Sequence, residues 1–106
     1  MSRLMRLLVF FDLPVVSKAD RKVYARFRKF LIKDGYDMVQ FSVYARICNG
    51  QDSMDKHMKR LMGSAPPKGS VRCMQVTEKQ FAGIEVLVGK KTKKEDPRFA
   101  DQLVFF

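Results

Sequence analysis

Acidic side chains are scarce in this chain: 11 Asp and Glu stand against 21 Lys and Arg in 106 residues, a formal net charge of +10. Such an excess gathers polyanions, so nucleic acid is the first partner to consider and an acidic membrane surface the second. Cysteine is also sparse. Cys48 and Cys73 are too few for a disulfide framework and lack metal-ligand spacing, so they read as two reduced, half-buried thiols without a role. The single histidine, His57 between Lys56 and Met58, is expected at the surface, and one unsupported histidine assembles no Ser-His-Asp or Cys-His arrangement. No apolar run approaches the roughly 18 residues of a membrane span, and the N-terminus lacks the basic, apolar, small-residue order of a signal peptide. The expectation is a cytoplasmic protein with no membrane partner. With 46% hydrophobic residues, the length suits one core and is too short for two.

The apolar run "LMRLLVFF", Leu4 to Phe11, stops at Asp12-Leu-Pro and predicts a central strand covered on both faces. "SKAD", Ser17 to Asp20, is close to a capping box; the helix it opens runs to Asp34, where Gly35 supplies a left-handed stop. "MVQFSVYARI", Met38 to Ile47, reads as one long strand or as two broken near Ser42. Met54, Met58, Leu61 and Met62 recur at helical spacing over Ser53 to Met62. Ser70 to Val76 predicts another strand, Thr77-Glu-Lys-Gln80 a capping box and a short helical turn, and Ile84 to Gly89 a further strand. "KKTKKEDPR" is a charged linker, after which "QLVFF" returns to strand composition. This pattern predicts an α+β chain: a ferredoxin-like α/β sandwich, an antiparallel sheet with two helices on one face, over 1–89. A basic linker and a C-terminal strand, used at a dimer or partner interface, fill 90–106.

On a helical wheel Val23, Phe27, Phe30 and Leu31 share one side, whereas Lys18, Arg21, Lys22, Arg28 and Lys29 cluster opposite. The only acids on this helix are Asp20 at its start and Asp34 at its end. A merely solvated helix interleaves Glu with Lys, so unrelieved repulsion points to an absent polyanion. A second basic cluster, Lys90, Lys91, Lys93 and Lys94, either lies beside the helix or trails in solvent. The strand "SVRCMQV" offers none of the aromatics of an RNA-recognition sheet, so phosphate backbone and shape are the expected features read.

Asp12 is either a turn-forming aspartate or a catalytic one. Mg²⁺ usually takes one or two carboxylates, and no second acid lies near Asp12 in sequence. The second acid would come from elsewhere in the fold or from Asp12 of another subunit.

"LLVFFDLP" with the basic helix after it, then "GYDMVQFSVYAR", then "VTEKQF" with "LVG" following, resembles the CRISPR-associated protein 2 family over nearly the whole chain. The likeness is greatest to the form found with dual-nuclease type II systems. It implies a ferredoxin-like homodimer whose strand-one aspartates meet across the axis at a candidate Mg²⁺ site, so that Asp12 is the candidate metal ligand and catalytic residue. Ser42 and Tyr44 match the family's Ser-Val-aromatic element near the same cleft. Phe11 and Met38 depart from the tyrosine and arginine of some nuclease members. The resemblance also implies a structural role, in which the dimer bridges two dimers of the CRISPR-associated protein 1 integrase and holds a double-stranded DNA prespacer by its backbone. Lys18, Arg21, Lys22, Arg26, Arg28, Lys29, Lys90, Lys91, Lys93 and Lys94 correspond to the DNA contacts, and Leu103, Val104, Phe105 and Phe106 to the partner-interface strand. Two readings compete: a DNA-binding adaptor of spacer acquisition, and a Mg²⁺-dependent endonuclease using Asp12 from both subunits. A ribonuclease toxin of similar small basic fold is a third.

Overall fold

The computed structural model describes residues 4–90. Lys91, Lys93, Lys94 and the expected strand Leu103 to Phe106 lie outside the described residues. Along the chain run β1 (Leu4–Asp12), α1 (Lys18–Lys33), β2 (Asp37–Gln40), β3 (Val43–Asn49), α2 (Gln51–Gly63), β4 (Ser70–Thr77) and α3 (Glu78–Ala82). The sheet order is β2-β3-β1-β4, and every pairing is antiparallel. This is the ferredoxin-like arrangement that the sequence pattern predicts.

Alternation along β1 divides the core. Leu7, Val9 and Phe11 point to one face, where Phe27 and Leu31 of α1 and Met54 and Leu61 of α2 pack on them with Tyr44 and Cys48 of β3. On the second face Leu8, Val39, Ala45 and Val76 gather around Phe81 of α3. That helix has five residues, so Phe10 and Met74 on the same face keep 38% and 53% of their surface exposed.

Helix α1 starts where its cap requires. The Ser17 hydroxyl accepts from the Asp20 amide and the Asp20 carboxylate from the Ser17 amide, a capping box of the kind that contributes about 1 kcal/mol. It stops at Gly35, whose φ of +93° suits glycine and whose missing side chain leaves room for the Arg46 guanidinium.

The stretch Met38 to Ile47 is two strands. They are broken at Phe41-Ser42, where Ser42 takes a φ of +65° and a register irregularity falls between Met38 and Gln40. The expected strand from Ile84 to Gly89 is a correction: these residues form turns and irregular chain, with Leu87 and Val88 exposed. β-rich composition makes a strand only where an edge pairs with it, and within the described chain β4 pairs with β1 alone. The cysteines are corrected as well, since neither is half-buried. Cys48 is fully buried, and Cys73 belongs to an exposed residue whose thiol donates to the Met58 sulfur at 3.2 Å.

Candidate nucleic-acid interface

Asp12 is the last residue of β1 and lies opposite Ser70 in the register with β4. Alternation places it on the second face of the sheet with Phe10, exposed to solvent. The chain passes close to it: a Cβ on Gly69, φ +89°, would stand 2.6 Å from the Asp12 carbonyl oxygen, so only glycine admits this approach. Ser42 is adjacent through its backbone, its carbonyl accepting from the Phe11 amide at 3.1 Å. Tyr44, which the resemblance sets near the same cleft, is instead buried on the helix face. There its ring stacks on Phe11 at 5.8 Å, and its hydroxyl accepts from Arg28 Nε at 3.0 Å. Phe11 also meets Tyr24 and Phe27 edge-on. The hydroxyl that Phe11 lacks would therefore enter an aromatic core and not the Asp12 surface.

The cations of α1 fall into two sets. Lys18, Lys22, Arg26 and Lys29 occupy an arc of roughly 80° at about 100° per residue. They are exposed and have no carboxylate partner among the described residues. Arg21 and Arg28 lie on the flank nearest the sheet and carry structural bonds. Arg21 donates to the Val15 and Val16 carbonyls at 3.3 and 2.8 Å, and Arg28 donates to Tyr44. The wheel alone does not separate these two sets. Lys90, at the end of the described chain, is exposed.

Neither acid on α1 neutralises the exposed arc, because each has a partner at its own end of the helix. Asp20 belongs to the cap. Asp34 accepts from His57 Nδ1 and from Arg60, both at 2.9 Å. His57 is thus no surface residue, which is a further correction. It is buried on α2, with Arg46 of β3 at 2.7 Å from its Nε2. A guanidinium only donates, so Nε2 must accept and the proton sits on Nδ1: His57 is neutral. Its pKa agrees in direction, since burial and then the Arg46 charge depress it more than Asp34 raises it. Burial alone would raise the Asp34 carboxyl, but the hydrogen bonds from His57 and Arg60 hold it below the ordinary carboxylate value.

A second charge pair was equally hidden from sequence. Arg6 of β1 is buried, makes a bidentate pair with Glu78 at 2.9 Å and lies 4.3 Å over the Phe81 ring. The available signals were a lone cation inside an apolar strand and, for Asp34, an acid at the end of a helix that repels it.

A family model described as CRISPR associated protein Cas2 matches residues 5–84. The chain belongs to the Cas2 family. It is 59% identical over 102 residues to a CRISPR-associated endoribonuclease Cas2 of Acidovorax ebreus, covering 96% of this chain and all of that one. Proteins of the same name from Flavobacterium psychrophilum and Parvibaculum lavamentivorans are 43% and 45% identical. They cover 85% and 82% of this chain, which spans 78% and 86% of theirs.

For a Cas2-family chain the implied metal can be tested against the donors at hand. Among the described residues no three His, Cys, Asp or Glu side chains gather to hold an ion. Asp12 belongs to no such group. No helix among the described residues is long and apolar enough to cross a membrane.

Proposed function

We propose that this chain acts as the dimeric double-stranded-DNA-binding adaptor of CRISPR spacer acquisition, bridging two dimers of the CRISPR-associated protein 1 integrase and holding the prespacer by its phosphates. The observation that carries this reading is the exposed arc Lys18, Lys22, Arg26 and Lys29. Both acids of its helix are consumed at the helix ends, so the repulsion within the arc is relieved only by an external polyanion. Pairing of two copies is supported by what α3 leaves uncovered: the Phe10 and Met74 surface, the outer edge of β4, and the exposed Val86, Leu87 and Val88 just beyond it. Lys90, Lys91, Lys93 and Lys94 extend the cationic track in this reading, and Leu103 to Phe106 dock on the partner by strand addition.

Salt dependence of duplex binding tests it. If about six phosphates are neutralised per dimer, log affinity falls against log salt with a slope near −5, irrespective of sequence. Replacing Lys18, Lys22 and Lys29 by Ala should flatten the slope and leave the fold intact. A salt-independent affinity, or one governed by sequence, sinks the proposal.

A second reading is favoured by the relatives being named endoribonucleases and by the exposure of Asp12 at a strand end: a metal-dependent endonuclease to which each of two chains contributes Asp12. Cleavage of RNA or DNA with Mg²⁺ that Asp12→Ala abolishes, with the dimer intact, supports it. Integration by the reconstituted complex that survives Asp12→Ala supports the adaptor.

A further inference from the structure

The connection between β2 and β3 presents an aromatic ring to solvent. Phe41 is 78% exposed, the most exposed aromatic among the described residues. An apolar ring on a hairpin tip is ordinarily a mobile liability, but this one is held on three counts. Ser42 beside it adopts φ +65°, a conformation costly for a residue other than glycine, and its carbonyl is fixed by the Phe11 amide. The Ser42 hydroxyl meets the Tyr24 hydroxyl at 3.4 Å. The Tyr24 ring in turn backs the Phe41 ring, 6.2 Å between centroids and 21° between planes.

Charge surrounds this pair. On α1, Arg21 and Arg28 stand three residues before and four after Tyr24, on the same side of the helix. Their guanidinium groups are pinned by the Val16 carbonyl and the Tyr44 hydroxyl, and neither has a carboxylate partner among the described residues. A supported, outward aromatic ring, backed by a tyrosine that has a fixed cation on either side of it along α1, has the composition of a single-strand stacking platform, in which the ring takes a nucleobase face and the cations take the adjoining phosphates. Bases within a duplex already stack on each other, so the ring can act only on an unpaired one.

We propose that Phe41, backed by Tyr24 and flanked by Arg21 and Arg28, stacks on an unpaired nucleobase of a bound strand. This rests on the nucleic-acid reading above and adds to it a means of distinguishing a frayed or overhanging strand from a blunt duplex. Such a base belongs either to the single-stranded end of a DNA duplex or to an RNA strand.

The test uses the full chain and three probes: a blunt DNA duplex, the same duplex with a single-stranded 3′ overhang carrying 2-aminopurine, and a single-stranded RNA with the same label. The overhang should bind more tightly than the blunt end, with quenching of the 2-aminopurine. Phe41→Ala should weaken overhang binding roughly 5- to 150-fold and abolish the quenching, while blunt-duplex affinity stays within about twofold. Phe41→Trp should retain both. Quenching of the DNA probe alone assigns the base to DNA, and of the RNA probe alone to RNA. Equal affinity for blunt and overhanging DNA with no quenching of either probe overturns the proposal. So does an equal loss from Phe41→Ala on every probe, or dissociation of the protein's own assembly by that variant, which would make Phe41 a protein contact. Failure of blunt-duplex binding sinks the adaptor proposal instead, and the RNA arm still reads out stacking.

Discussion

Lowering the pH should unlock the joint between the end of α1, the middle of α2 and strand β3. His57 there is neutral because Arg46 faces its Nε2 with a donor at 2.7 Å, while Nδ1 donates to Asp34. A proton added to Nε2 would set donor against donor inside the protein. Burial and Arg46 depress the native pKa of His57, whereas the unfolded chain takes up the proton near the ordinary value of about 6.5. As pH falls, the unfolded state therefore binds the proton first, and unfolding is favoured. The stability conferred by the neutral ring is complete above about pH 7. It is lost below about 6.5 with a limiting slope near 1.4 kcal/mol per pH unit, until the native pKa is reached. Asp34 is also held low, so its own loss begins only near pH 4 and leaves the window clear. The chain has no second histidine to blur the signal. In urea, with slopes of about 1 to 3 kcal/mol/M, one pH unit should move the midpoint by roughly 0.5 to 1.4 M. His57→Gln supplies a permanent amide donor for Asp34 and a carbonyl for Arg46, and should remove the dependence between pH 7 and 5. A wild-type midpoint that is flat or rises on acidification over that range refutes the assignment, as does a Gln variant that keeps the slope.

Glu78→Ala removes the carboxylate that binds the buried Arg6 guanidinium through two nitrogens and should cost about 3–5 kcal/mol in denaturant unfolding, whereas Arg6→Met combined with Glu78→Ala should recover most of it. An effect of Glu78→Ala below about 1 kcal/mol would show that water reaches the guanidinium. Gly69→Ala combines a positive φ with a clash against the Asp12 carbonyl, and should cost at least about 1–3 kcal/mol and displace the β1–β4 end. Chemical shifts at Asp12 and Ser70 that match wild type would contradict it.

The order and type of the elements up to α3 were legible because each is announced locally: Ser17 with Asp20, Thr77 with Gln80, Gly35, and the apolar run of β1. The break at Phe41-Ser42 was legible only as one of two alternatives, since β-branched and aromatic residues continue across it and the turn uses a serine in a conformation typical of glycine. Ile84 to Gly89 misled for the opposite reason, because composition offers a strand but not a partner edge. Of the site, the sign and side of the α1 charge could be read from spacing. The division of its arginines could not, because Arg28 is tied to Tyr44, sixteen residues away. His57 and Asp34 are 23 apart in sequence, beyond any local pattern.

The pair between Arg6 and Glu78 closes across 72 residues, between β1 and the helix that follows β4. At roughly 5–20 residues per second of synthesis, β1 waits about 4–14 s on the ribosome before β4 and α3 exist to cover it. Leu4 to Phe11 is a nascent strand with two open edges until β3 is made and with one until β4 follows, of the kind that pairs with its copies on neighbouring chains. Arg6, the one charge inside that stretch, works then as a gatekeeper, kept in water and repelling its equivalents. Glu78 pairs with it only once β4 has been made, so burying the guard and extending the sheet become the same late event.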